Sequence, residues 1–179
     1  MITRKELYEL LENPQLNEMV ATVWDLLGQG FQHAQALLPQ DQAMERKELS
    51  FHDQVRLLAY LCALIADLPG DIVEIGVWKG KSLSLMNEAC NHERRIIGID
   101  PFALPKQYEE FSHYRNLLFQ NAVVLRGLSE LCAERYYDLS PSVALLHVDG
   151  GHEGRNVLLD FLLYSPSVVS QGFIVFDDY

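Results

Sequence analysis

The sequence predicts an α/β fold: a doubly wound, mostly parallel sheet preceded by a helical region. Three observations predict it. From Asp71 to Tyr179, short apolar runs alternate with helical patterns, as expected of buried parallel strands joined by crossover helices. The first run ends in a glycine turn that opens a helix, Asp71-Ile-Val-Glu-Ile-Gly-Val-Trp-Lys-Gly-Lys-Ser82. Acidic residues close later runs, at Asp100, Asp149 and Asp177-Asp178, on the sheet edge where open α/β folds bind ligands.

The elements follow in order. Leu68-Pro69-Gly70-Asp71 divides the chain into an N-terminal helical region, 1–69, and a sheet domain, 70–179. Thr3 and Glu6 form a T-x-x-E capping box for a short helix ending by Asn13-Pro14. A second helical pattern runs from about Gln15 to Leu38, with Met19, Val23, Leu26 and Leu27 in phase and with Gly28 and Gly30 as points of bending. A third starts near Ser50 and carries Val55, Leu58, Ala59, Cys62 and Ile65 on one face. This stripe predicts core packing; whether it covers the sheet, a substrate or a second subunit is open at this stage. After Gly70 the pattern predicts strands at Asp71–Gly76, Arg95–Asp100, Ala122–Arg126, Val143–Asp149 and Phe173–Asp177. Helices are predicted at Lys81–Cys90, Tyr108–Phe119 and Gly154–Tyr164.

The 179 residues suit one domain with a full core, and 49% hydrophobic against 22% charged residues is ordinary for a globular chain. A formal charge of −11 argues against a nucleic-acid backbone or an anionic membrane as partner. No apolar stretch has the length of a membrane span, and MITRKELYELLENP has no signal-peptide core. Three cysteines without close ligand spacing read as reduced thiols, which predicts a cytoplasmic setting.

Three signals carry chemistry. In the first loop, Gly76 and Gly80 let backbone approach a ligand closely, and the helix start at Lys81-Ser82 offers free N–H groups. Only Val77-Trp78-Lys79 separates the two glycines, one residue short of a phosphate-cradling loop, and a G-x-G-x-x-G is absent. Glu74 at the strand end suits a cationic ligand part such as an amino group or sulfonium. Asp100 closes the second strand 24 positions after Gly76, where a carboxylate reaches a ribose diol. At the ends of the fourth and fifth strands, Asp149, Asp177 and Asp178 converge if those strands are neighbours. Three clustered carboxylates need a counter-charge, which a hard cation such as Mg²⁺ supplies. The plainer reading is that Asp177 and Asp178 start a solvated turn.

In the order EIGVWKGKS, IIGIDPF, LLHVDGGHEG and GFIVFDDY, the chain resembles the macrocin O-methyltransferase and cephalosporin-hydroxylase-like class I methyltransferases. More distantly it resembles catechol O-methyltransferase. The resemblance covers about residues 71–179. It implies a Rossmann-like fold and S-adenosyl-L-methionine contacts at Glu74, Gly76, Gly80, Ser82 and Asp100, with Gly127, Leu128 and Ser129 beside the adenine. It implies Mg²⁺ ligation by Asp149, Asp177 and Asp178, and an N-terminal helical region that lids the site or forms a homodimer. Strands 6 and 7, which the family adds as a hairpin, are expected to be missing.

The activity this implies is Mg²⁺-assisted O-methylation of a hydroxyl on a small molecule, a sugar or natural product. His152 lies three residues after Asp149, where catechol O-methyltransferase-like enzymes place a basic catalytic residue. Imidazole suits proton abstraction near neutrality. The competing role for His152 is a hydrogen bond to the loop or the adenine. His147 reads as structural, turned into the sheet face by strand alternation. The alternative function is a non-catalytic S-adenosylmethionine or nucleoside-binding module, or a truncated methyltransferase fragment. A hydrolase lacks a nucleophile motif, and an iron oxygenase lacks its two-histidine, one-carboxylate set.

Overall fold

In a computed structural model, the described residues are 53–139 and 142–177, with 9, 12–15, 17, 18, 21, 22, 25 and 29. The capping box at Thr3, most of the second helical pattern, the start of the third near Ser50, and Asp178 lie outside them. The expected dimer through the N-terminal helices falls mostly on such positions as well.

The ordered elements are α1 (Asp53–Leu64), β1 (Asp71–Ile75), α2 (Lys81–Ala89), β2 (Ile96–Asp100), α3 (Gln107–Leu118), β3 (Val123–Arg126), α4 (Ser129–Leu139), β4 (Val143–Val148), α5 (Gly154–Tyr164) and β5 (Val168–Phe176). A 3₁₀ turn, Ser165–Ser167, joins α5 to β5. The five strands form one parallel sheet in the order β3-β2-β1-β4-β5. This is the predicted doubly wound fold, ending at the fifth strand.

The central strands are apolar because both sheet faces are covered. On one face Ile72 and Leu145 join Leu58, Ala59, Leu61 and Cys62 of α1, Ile65 just after it, and Leu83, Leu85 and Met86 of α2 in one buried cluster. On the other, Val73, Ile75, Ile97, Ile99 and Leu146 pack with Cys132 and Tyr136 of α4 and Tyr164 of α5. Each fully buried leucine or isoleucine here contributes roughly 1.5–3 kcal/mol. Helix α1 therefore belongs to the core of the sheet domain, and residue 69 marks a change of sequence pattern within a continuous packing unit.

Two elements differ from expectation. The sequence singles out no helix over α4, since its apolar residues Leu131, Cys132, Ala133, Tyr136, Tyr137 and Leu139 form a weak stripe broken by five polar positions. Strand β5 begins at Val168, five residues earlier than predicted. Ser170-Gln171-Gly172 reads as a turn, and Gln171 does take a positive φ of 70°. The register shifts between Val143 and Leu145 where β4 pairs with β5, so the strand passes through a bulge there. Among the described residues no helix is long and apolar enough to cross a membrane.

Candidate functional site

Strand β1 lies between β2 and β4, and successive crossovers run in opposite directions from it. A crevice forms at such a reversal, outside the C-terminal strand ends. Here it is a cleft of about 660 Å³, lined by Gly76, Trp78, Asp100, Gln107, Gly127, Ser129, Asp149, Gly150, Gly151, His152, Asn156 and Asp160 among others.

Backbone hydrogen bonds fix the cleft floor. Gly76 N–H donates to the Ile99 carbonyl at 2.9 Å, and Asp149 N–H donates to the Ile75 carbonyl at 2.8 Å. Gly76 has φ 87°, and a Cβ there would lie 2.0 Å from the Asp149 carbonyl oxygen. Only glycine fits where β1 leaves the sheet against the β4 exit. Gly80, φ 88°, begins α2 under an aromatic wall; a Cβ would lie 2.5 Å from the Phe119 ring.

Asp100 is nearly buried and organises the glycine loop. Its Oδ2 accepts the N–H groups of Val77 and Trp78, both at 2.9 Å. Its Oδ1 accepts Phe102 N–H at 2.6 Å and Gln107 Nε2 at 3.3 Å. Four donors match the roughly four lone-pair sites of a carboxylate. A ribose diol at Asp100 would therefore share or displace donors that now shape the loop.

Across the cleft, the Ser129 hydroxyl at the start of α4 donates to Asp160 Oδ1, and the Tyr164 hydroxyl donates to the Ser129 carbonyl at 2.6 Å. Asp160 is 3% exposed. Burial pushes its carboxyl above the usual carboxylate range, and the Ser129 hydrogen bond opposes this only in part. Sequence reasoning missed Asp160. Its signal was one acid inside the apolar run Val157-Leu-Leu-Asp-Phe-Leu-Leu163. A raised carboxyl makes its stabilising contribution at low pH and loses it as pH rises through the folded-state value. Asp160→Asn removes that loss, so its unfolding free energy is expected to fall less than that of the parent chain between roughly pH 4 and pH 8. Urea denaturation across that range checks this.

Val148 pairs with Phe176, and Asp177 N–H donates to the Val148 carbonyl at 3.0 Å. Asp149 and Asp177 thus leave adjacent strands side by side. Asp149 lines the cleft; Asp177 is half-buried beside it. Among the described residues no group of three His, Cys, Asp or Glu side chains is arranged to hold a metal ion, and the third expected ligand, Asp178, lies outside them.

Of the other expected cofactor residues, Gly76, Asp100, Gly127 and Ser129 line the cleft and Glu74, Gly80 and Ser82 do not. Glu74 lies away from the cleft. It is fully buried on the α1 and α2 face of the sheet, with Oε1 2.8 Å from His147 Nδ1. Glu74 and His147 are register partners on β1 and β4, so alternation turns both away from the cleft while Ile75 faces it. Among the described residues, Glu74 Oε2 and His147 Nε2 have no hydrogen-bond partner. His152 lies on the exposed loop after Asp149, in the cleft wall.

A glycine turn, a loop-organising strand-end acid and a cleft at the sheet's switch point define a Rossmann-like fold of the methyltransferase type. A methyltransferase-domain family profile matches residues 73–179, and the chain belongs to that family. It is 33% identical over 140 residues to an uncharacterized protein of Acanthamoeba polyphaga mimivirus, covering 73% of this chain and 61% of that relative. The chain thus spans about three fifths of the length of this curated relative. Solved structures share the fold at low identity. CalS11, a TDP-rhamnose 3'-O-methyltransferase of calicheamicin biosynthesis, gives a TM-score of 0.59 at 19% identity, covering 93% of this chain and 79% of its own. TomG, an O-methyltransferase from Streptomyces achromogenes solved with S-adenosylmethionine, gives 0.55 at 14% identity, covering 92% and 65%.

Proposed function

We propose that this chain binds S-adenosylmethionine in the cleft and transfers its methyl group to a hydroxyl of a small molecule. The observation that carries the reading is the cleft itself, lined by Gly76, Asp100, Ser129 and Asp149 in a member of a methyltransferase family. Gly76 admits the polar tail of the cofactor close to backbone. Asp100 meets the ribose, and Ser129 with Asp160 borders the base.

Asp149 and Asp177 are hard oxygen donors on adjacent strand ends, which fits Mg²⁺, with Asp178 as the third ligand. A bound Mg²⁺ would lower the pKa of the acceptor hydroxyl. His152 takes the hydroxyl proton as the oxygen–carbon bond forms and the sulfur–carbon bond breaks, releasing S-adenosylhomocysteine.

The test is S-adenosylhomocysteine formation against a panel of sugar, polyketide and catechol acceptors, with and without a chelator. Turnover that disappears on chelation and returns with Mg²⁺ is expected. Chelator-resistant turnover removes the metal from the reaction. Cofactor binding without transfer to any hydroxyl acceptor leaves a binding module in its place.

A further inference from the structure

At the opposite edge of the sheet from the cofactor cleft lies a second cleft, of about 740 Å³, lined by Cys62, Cys90, Arg94, Arg95, Asp71 and Ser142 among others. Cys62 sits on α1 and is buried; Cys90 caps the C-terminus of α2 and is half-buried. They are 28 positions apart in sequence, so no spacing motif marks them. The fold brings both to one carbonyl oxygen. Met86 O accepts the Cys90 N–H at 3.2 Å and the Cys62 thiol at 3.8 Å. The two side chains are close enough to shift each other's ionisation.

The pair is electrostatically asymmetric. The hydrogen bond from Cys62 and the nearby Arg94 charge draw the Cys90 thiol below its ordinary value, against the effect of burial. Cys62 is pushed well above the ordinary value by its hydrogen bond with Cys90 and by burial. The Arg94 guanidinium is a fixed charge. It donates to the carbonyls of Ile65 at 2.8 Å, Ala66 at 3.3 Å and Leu68 at 2.9 Å, and also to that of Gly70. These bonds tie the end of α1 to the start of β1. Burial pushes the Cys132 thiol up, and the Arg135 charge opposes this only in part. A thiolate-prone cysteine open to a cleft, beside a second thiol, is the arrangement of a redox-sensitive pair.

We infer that Cys62 and Cys90 form a peroxide-sensitive thiol pair, an oxidation site that closes as a disulfide between α1 and the end of α2. The Cys90 thiolate attacks one oxygen of hydrogen peroxide and the O–O bond breaks. This gives a sulfenic acid and hydroxide, which takes a proton to become water. Cys62 sulfur then attacks the Cys90 sulfur, the S–O bond breaks, and the departing hydroxide takes the Cys62 proton as a second water. Two thiols are oxidised and one peroxide is reduced. The site lies apart from the cofactor cleft, so the inference is independent of methyl transfer.

The experiment treats the reduced full-length chain with equimolar hydrogen peroxide and follows intact mass and non-reducing peptide maps. The expected product has lost about 2 Da, links the Cys62 and Cys90 peptides, leaves Cys132 as a thiol, and reverts with dithiothreitol. In native protein, Cys90 is expected to alkylate about tenfold faster than Cys132. Cys62→Ser, given at least two equivalents of peroxide, is expected to send Cys90 on to the sulfinic acid, a gain of about 32 Da. The wild-type measurement needs no variant to fold. A wild-type chain that keeps all three thiols under this treatment overturns the inference. So does one that instead links Cys132, or one whose Cys90 alkylates no faster than Cys132.

Discussion

Replacing Asp149 by asparagine is expected to lower the methyl-transfer rate by roughly 10²–10⁴-fold, the size of effect a positioned group that activates the acceptor supplies. S-adenosylhomocysteine affinity should change far less. Asp149 stands at the end of β4 beside Asp177, with its N–H tied to Ile75, and its side chain borders the cleft. Asparagine keeps the size and one oxygen but removes the charge that would attract the proposed divalent cation. The mark of this role is a fall in kcat with a Mg²⁺ requirement shifted to higher concentration, measured by S-adenosylhomocysteine release and by calorimetry. Parallel loss of rate and cofactor affinity would instead make Asp149 a cofactor residue.

Gly76→Ala is expected to damage both fold and cleft. Its Cβ would lie 2.0 Å from the Asp149 carbonyl oxygen and 2.4 Å from the carbonyl carbon, both backbone atoms, at a φ of 87°. The positive φ alone costs on the order of 1–3 kcal/mol. The collision adds to it, because relief requires moving β1 from β4. A total of at least about 3 kcal/mol is expected, lowering Tm by on the order of 10 °C in a chain this size, with loss of cofactor binding. Gly154→Ala is the matched control. It begins α5 and a Cβ there meets nothing within 4 Å, so it should be neutral or stabilising by up to about 1 kcal/mol. Thermal unfolding of the two variants compares them directly.

The fold was readable where burial leaves a plain mark. Strands β1, β2 and β4 are apolar apart from a few positions such as Glu74 and His147, because helices cover both faces of a parallel strand. The glycine turn was readable because close backbone contact excludes other residues. Helix α4 and the start of β5 were harder, since a weak stripe and a bulged Ser-Gln-Gly carry little periodicity.

The site was legible at strand ends and less so within strands. Sequence places Glu74 one residue before Ile75 but does not say which of the two faces the cleft. The alternation that turns His147 inward applies equally to Glu74, its register partner, and would have turned both from the cofactor. Asp160 was missed because a buried acid on a helix looks like any polar break until Ser129 is seen beside it. The Cys62 and Cys90 pair depends on α1 packing against α2, a contact without a sequence spacing of its own.

Isothermal calorimetry with S-adenosylhomocysteine, ATP and NAD as competing candidates tests most directly whether this cleft is built for a sulfonium nucleoside. The account predicts one S-adenosylhomocysteine bound per wild-type chain, clear weakening in Asp100→Asn, and negligible heat from ATP or NAD. Tighter binding of ATP or NAD, or no S-adenosylhomocysteine binding by a folded wild-type chain, would contradict it.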